Sequence, residues 1–473
     1  MIGVFQFWSC TPHLEISLEI ASSEALAGKK VHYYWGGDDI LVNEDNRNGK
    51  LGSVFASQKP IVRALKAIEG QYGKIFDFFS GWISYSDVKN FTFSGECVED
   101  ISSINYENFK LGLAALNSVS FLLQSDLKSI KYASMRHMIE ETMYSGLGVY
   151  LSALKLLKRN KYEKVVLFNG RFVNDAAIAA ACKRMGVPVE YHERGAKPDR
   201  FKLVPFPVHD RKNTRKLIDE FWKKNLGNRE KSEKIARDFF TRRVDDPNFG
   251  GAWHSHTREF DRKMSGEELR QRLGVINQSI WTFFHSSVDE YQYIDPALKK
   301  QTEWGTQENL VLWLAENCSK NTILIVRMHP HLMKKNPIDL NSWKALEERL
   351  NRSHAPVQFI WPQSDLNSYL LIQESKKVLS YGSTAGAEAI FLGKQSISCN
   401  ESLWGGASGA REVYSFAQLQ SALDEDYIPD PESVIPFGYF MARFGHMHAL
   451  FEPFNLTSGK FLGLDLFNSK EYV

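Results

Sequence analysis

Cysteine is scarce in this chain: five residues among 473, at Cys10, Cys97, Cys182, Cys318 and Cys399. Their number is odd, their positions are scattered, and no CxxC pair or Cys/His cluster occurs. Neither a disulfide framework nor a zinc site is therefore indicated, and a reducing compartment is expected. Long hydrophobic runs are missing as well; none approaches the roughly 20 residues a membrane-spanning helix needs. The first ten residues carry neither a basic leader nor a long apolar stretch. The expectation is a cytoplasmic protein whose membrane contact, if any, is peripheral. Charge of one sign is not in excess either: 58 Lys and Arg face 56 Asp and Glu, for a formal net charge of +2. That leaves no global field for nucleic acid, which is not expected as a partner. Solenoid-length repeats and low-complexity segments are absent.

What is present is ample apolar material: 43% hydrophobic and 13% aromatic residues. At this length one ordinary core does not suffice, and two or three domains are expected. An apolar run at 2–8, a helical pattern at 14–26 and a β-rich stretch at 31–35 read as a βαβ start. Residues 36–100 give no clear pattern, and 106–159 are dominated by helical spacing. Strand 164–168, helix 174–185 and strand 187–191 follow, then basic helices to about 243. The basic stretch includes Arg211, Lys212, Arg215 and Lys216. It reads as a solvated helical face in preference to an anion-binding surface. Ser265 and Glu268 form a capping box. From 275 onward the alternation is regular: strands at 280–284, 323–327, 357–361, 378–381 and 396–398, with helices at 306–317, 341–350, 366–375 and 385–392 between them. Such alternation predicts an α/β fold with parallel sheets, its ligands outside the carboxyl ends of the strands. The expected units are 1–274, 275–430, and a tail, 431–473, crossing back to the first.

Polar clusters fall at those strand ends. Arg327-Met328-His329-Pro330 follows the apolar run 323–326, and Pro330 forces the strand to stop. Arg327 and His329 are donors suited to phosphate oxygens. Tyr381-Gly382-Ser383-Thr384 runs into a helix whose free N–H groups suit an anion, with Glu388 one turn in as an acceptor for ribose hydroxyls. His285-Ser286-Ser287 leads into Asp289 and Glu290. Taken singly, each cluster is equally well a capped or solvated strand end; their coincidence along one sheet raises all three. In the first half, Glu193 stands at a strand end as a candidate base or nucleophile, and alone it is as well read as a surface carboxylate paired with Arg194 or Lys197. Arg171 follows another strand. Asp245 and Asp246, in a loop with His254 and His256, supply a second acid or are simply solvated. Asp424-Glu425-Asp426 lies in a hydrophilic turn and reads as surface, so no metal site is expected.

These segments resemble the capsular-polysaccharide synthesis and Kdo-transferase-like glycosyltransferases. The matching elements are S-S-x-D-E at Ser286–Glu290, R-x-H-P at Arg327–Pro330 and Y-G-S-T-x-G-x-E-A at Tyr381–Ala389. The E-x-G at Glu193–Gly195 is similar to the family's acidic motif, with His192 where a second acid often stands. Thr11-Pro12-His13-Leu14-Glu15 suits the first βα unit of an acceptor domain, with His13 and Glu15 as cleft residues. The resemblance implies a GT-B fold, two Rossmann-like doubly wound domains facing across a cleft. It also implies a nucleotide-sugar donor, CMP-linked among the forms it admits, with a glycan hydroxyl as acceptor and no separate cofactor. His329, Ser383 and Thr384 would hold the donor phosphates, and Glu193 would act as base. Two other readings stay open: a nucleotide-sugar epimerase or hydrolase on the same fold, and a non-catalytic partner in polysaccharide assembly.

Overall fold

The computed structural model describes residues 1–42, 58–88, 90–245, 264–275, 277–287, 292–296, 300–319 and 321–467. Asp246, His254, His256, Asp289 and Glu290 lie outside them, as does the side chain of Asp245. Two sheets organise the chain. In the first, strands β1 (Ile2–Gln6), β2 (Val31–Trp35), β3 (Asp77–Phe79), β4 (Lys164–Phe168) and β5 (Val189–Arg194) are parallel. A sixth strand, β6 (Arg200–Val204), runs antiparallel to β5. The spatial order is β3-β2-β1-β4-β5-β6, so the order reverses between β1 and β4. Every residue of β1 and β2 is buried, because helices cover both faces of a central parallel strand.

The second sheet holds β7 (Ser279–Phe284), β8 (Thr322–Arg327), β9 (Val357–Ile360), β10 (Lys377–Ser380), β11 (Gln395–Ser398) and β12 (Ala410–Glu412). All neighbours are parallel, in the order β9-β8-β7-β10-β11-β12. This is the doubly wound order, and its reversal lies between β7 and β10. The apolar strands read from sequence are all present within a few residues. The sequence reading missed β6, and it missed helix Gln58–Tyr72 in the unpatterned region.

The basic helices Arg211–Lys224 and Arg229–Asp245 belong by sequence to the first half but pack on the second. Ile218, Phe239 and Phe240 share a core with Ala387, Ile390 and Trp404. Helix Ile435–Arg443 joins that core through Phe437 and Phe440. The chain then returns to the first sheet, where β13 (His446–Met447) pairs with β6. A hairpin of β14 (Phe451–Asn455) and β15 (Ser458–Phe461) puts Phe451 and Phe461 into the same core as Leu14 and Ile16. Glu19 fastens this return: its carboxylate lies 2.8 Å from the His448 ring, both side chains being buried. Among the described residues no helix is long and apolar enough to cross a membrane.

Candidate functional site

The order reversal in the second sheet frames a cavity of about 80 Å³. It is lined by His285 and Ser287 after β7, Leu332 and Lys335 beyond β8, Tyr381 after β10 and Asn400 after β11; Asp126 of the first lobe closes it. The loop after β7 is held by its backbone. Ser286 donates its N–H to Gln307 Oε1 at 3.0 Å, and Gln307 Nε2 donates to the Ser286 carbonyl at 2.7 Å. The His329 N–H donates to His285 Nδ1 at 3.3 Å, so Nδ1 is the acceptor and the ring proton of neutral His285 sits on Nε2. That Nε2 is buried and has no hydrogen-bond partner among the described residues, and neither has Ser287 Oγ. Burial, with His329 and Lys335 adding, holds the His285 pKa well below the ordinary value. The cavity thus presents a neutral N–H donor and a hydroxyl, both desolvated and awaiting acceptors.

The two lobes meet around this cavity through named bonds. Ser125 Oγ donates to Asp339 Oδ1 at 2.7 Å, and Gln292 Nε2 donates to Asp126 Oδ1 at 2.7 Å. Lys110 and Asp295 pair at 2.7 Å. Glu308, half-buried in the wall, has its pKa raised, by burial first and by Asp126 and Asp339 further.

The remaining sequence-predicted residues are distributed unequally. Tyr381 lines the cavity, its hydroxyl 3.4 Å from that of Thr302. His329 meets the cavity wall through its backbone N–H, which donates to His285; its own Nδ1 accepts from the His331 N–H at 3.2 Å. Arg327 requires a correction. Its side chain is buried against β9, donating to the Trp361 carbonyl at 2.9 Å, and burial pushes its pKa down to about 10. It clamps the loop after β9 instead of facing a donor. Glu388 is also corrected: its carboxylate is buried and paired with Arg243 at 2.6 Å, not presented to a ribose. Ser383 Oγ accepts from the Ala385 N–H at 3.3 Å, while Thr384 occupies the cap position without a side-chain cap bond.

Gly382 reveals a residue the sequence reading set aside. Its φ is +75°, and a Cβ there would lie 2.6 Å from Arg211 Nη1 and 2.7 Å from the Glu401 carbonyl. Arg211 therefore lies against the start of the Ser383–Thr384 turn, brought there by Asp210, which caps helix Arg211–Lys224 by accepting from the Asn213 N–H. No signal in the basic run distinguishes this arginine from its solvated neighbours. Its neighbour Arg215 is engaged structurally, with Glu412 and the Ser402 carbonyl.

In the first lobe the equivalent strand ends gather a second group. Glu193 Oε2 accepts from Asn169 Nδ2 at 2.7 Å, and its Oε1 lies 3.7 Å from His13 Nδ1. His192 is fully buried without a hydrogen-bond partner among the described residues, and burial pushes it down to about 3. Burial thus favours its neutral form. Lys202, half-buried on β6, has its pKa lowered by burial while Glu193 opposes that shift. Beside them, burial holds the His209 pKa well below its ordinary value, and the cations Arg171, Arg211 and Lys202 lower it further. Glu15 departs from its expected cleft position: it is 1% exposed, inside the lobe. The Asp424–Asp426 turn is exposed and ion-paired, Glu425 with Arg411 and Asp426 with Lys376.

No protein-family model matches the chain, and no curated protein matches it in sequence. Comparison with solved structures finds distant likenesses. The beta Kdo 2,7 transferase KpsC of Thermosulfurimonas dismutans is 12% identical, with 60% of this chain and 79% of that one covered and a TM-score of 0.34. A UDP-GlcNAc 2-epimerase of Methanocaldococcus jannaschii is 13% identical over 80% of this chain and 94% of that one, with a TM-score of 0.30. A glycosyltransferase from Rickettsia africae is 12% identical over 93% of both chains, again at 0.30. At such identities and scores these likenesses carry no argument about activity, which rests on the side chains described above.

Proposed function

We propose that the chain is a GT-B glycosyltransferase that moves a sugar from a nucleotide-activated donor to a hydroxyl of a surface glycan such as capsule or lipopolysaccharide. The observation that carries this reading is the cavity at the β7/β10 reversal, with the partnerless Nε2 of His285 and hydroxyl of Ser287 in its wall. Buried donors without partners are costly unless a ligand satisfies them, and a strand-order reversal is where doubly wound sheets take nucleotides. His285, Ser287 and Tyr381 hold the donor nucleotide in this account, CMP being one candidate. Arg211, with the Gly382-Ser383-Thr384 turn, neutralises the departing phosphate as the glycosidic bond breaks. Glu193, oriented by Asn169 and His13, takes the acceptor proton. No cofactor beyond the donor enters this scheme, and contact with a membrane or an assembly partner belongs to the proposal only as the place where such acceptors grow.

The test is nucleotide release from UDP-, CMP- and GDP-sugars, measured with and without a glycan acceptor. Release that requires acceptor, and that falls at least about a hundredfold in Glu193→Gln with nucleotide affinity retained, is the expected outcome. Acceptor-independent release or an epimerised sugar would replace transfer with hydrolysis or epimerisation. Failure to bind any nucleotide would remove the enzyme reading altogether.

A further inference from the structure

The helical hairpin that packs against the second sheet is far more basic than the chain that carries it. Residues 211–237 hold ten Lys and Arg against four Asp and Glu, whereas the whole sequence reaches a formal net charge of only +2. Part of that charge is engaged within the fold: Arg215 pairs with Glu412, Arg229 with Glu233 and Arg237 with Glu432. Lys212, Lys216, Lys223, Lys224, Lys231 and Lys234 remain, all exposed and none with an ion-pair partner among the described residues. The exposed acids Asp219, Glu220 and Glu230 only partly offset them. A surplus this local gives one end of the molecule a positive field that the whole chain lacks.

At the tip of the hairpin three cations surround one groove. It holds about 570 Å³ between the two helix ends and helix Ile435–Arg443. Lys224, Lys231 and Arg443 line it, and among the described residues no carboxylate does. Its apolar wall is Phe221 and Tyr439, whose rings stack with centroids 5.5 Å apart. The turn is held from within. Asn225 Nδ2 donates to the Phe221 carbonyl at 2.7 Å, Ser232 Oγ to the Asn225 carbonyl at 3.1 Å, and the Lys231 N–H to Asn228 Oδ1 at 3.2 Å. Leu226, in the short turn Leu226–Asn228 that joins the helices, is 39% exposed. Trp222 is half-buried with its edge on Tyr439. An apolar apex flanked by lysines on both arms suits a phospholipid surface, where phosphates meet the ammonium groups and hydrocarbon lies just beneath. A soluble polyanion would match the charge but not the exposed leucine.

We propose that the tip of this hairpin docks the chain on an anionic phospholipid bilayer, with Lys224, Lys231 and Arg443 holding a headgroup phosphate and Leu226 entering the interface. The docking surface shares no residue with the proposed transferase site, so the two readings stand or fall separately.

Co-sedimentation of the full chain with phosphatidylcholine vesicles, with and without about a third phosphatidylglycerol, tests it. Binding is expected only with the anionic lipid, and it should weaken as salt is raised. The triple variant Lys224→Gln, Lys231→Gln, Arg443→Gln should lose about a hundredfold in affinity, at roughly fivefold for each basic residue. Leu226→Ser should lose severalfold. A matched control, Lys66→Gln, Lys158→Gln, Lys161→Gln, removes the same charge from exposed lysines on other elements and should bind as the wild type does. Melting curves check the fold of each variant; should the first triple not fold, its two lysine changes decide alone. Equal binding to neutral vesicles, or an equal loss in the control, overturns the proposal. Release from the vesicles by inorganic phosphate at constant ionic strength, or Leu226→Ser binding as tightly as the wild type, assigns the groove to a soluble anion and overturns it too. A chain that binds anionic vesicles but no nucleotide upholds this inference and removes the transferase.

Discussion

Glu15 offers a test of the first lobe's interior that needs no substrate. It lies in the first turn of helix His13–Leu26, where a negative charge is ordinarily favoured by the helix dipole. Burial overrides that preference. The residue is 1% exposed, Thr11 Oγ1 donates to Oε1 at 2.7 Å, and Oε2 has no partner among the described residues. Burial is the main cause that carries its pKa from 4.5 to about 7, opposed by the Thr11 bond and helped slightly by Asp465. The native state therefore keeps a proton that the unfolded chain releases, and stability must fall as pH rises. The contribution is fully present below about pH 4.5, declines towards pH 7 and is gone above it. At 1.36 kcal/mol for each tenfold change, the loss is about 3 kcal/mol. Glu15→Gln keeps the Oε1 acceptor and carries no charge at any pH. Urea unfolding of both proteins across pH 4 to 8 isolates the effect, because every other titration is shared. The two should be nearly equal at pH 4, and the variant should gain steadily to about 3 kcal/mol by pH 8. A difference that does not change with pH, or a wild type more stable at pH 8, would refute the claim that burial governs this carboxyl.

Gly386→Ala should destabilise the chain by about 1–3 kcal/mol or more in urea unfolding, because its Cβ would lie 2.1 Å from the ring of Trp404, itself buried. Arg211→Gln should leave the melting curve nearly unchanged while lowering affinity for a nucleoside diphosphate about tenfold by calorimetry; equal affinities would free the Gly382 turn of any phosphate role.

How far the sequence could be read depended on which interactions are local. Strands β7, β8 and β10 were legible because both their faces are covered, so their residues form continuous apolar runs that end abruptly in polar clusters. The β6 segment, Arg200–Val204, was not. It alternates Arg, Lys and apolar residues and is only partly buried, since it runs antiparallel between β5 and a two-residue strand from the distant tail. Nothing within those five residues announces a partner 245 positions away. Likewise the tail's return depends on Glu19 meeting His448, a pair separated by 429 residues.

The same limit explains the mixed outcome at the strand ends. A polar residue after a buried strand is placed at the sheet's carboxyl edge by sequence, but the edge has two sides, and packing chooses between them. Ser287 and Tyr381 fall on the side where the strand order reverses and line the cavity, whereas Arg327 finds the Trp361 carbonyl on the flank of β9. Burial of Arg327 is stabilised there by the Trp361 carbonyl acceptor, at the cost of a depressed pKa. Arg211 is the converse. Its segment reads as solvated because charged residues surround it, yet the fold carries its helix onto the opposite lobe and lays its guanidinium against a glycine that only an unbranched backbone could leave open. Gly382 was visible as a place for close approach; what approaches it is a tertiary fact.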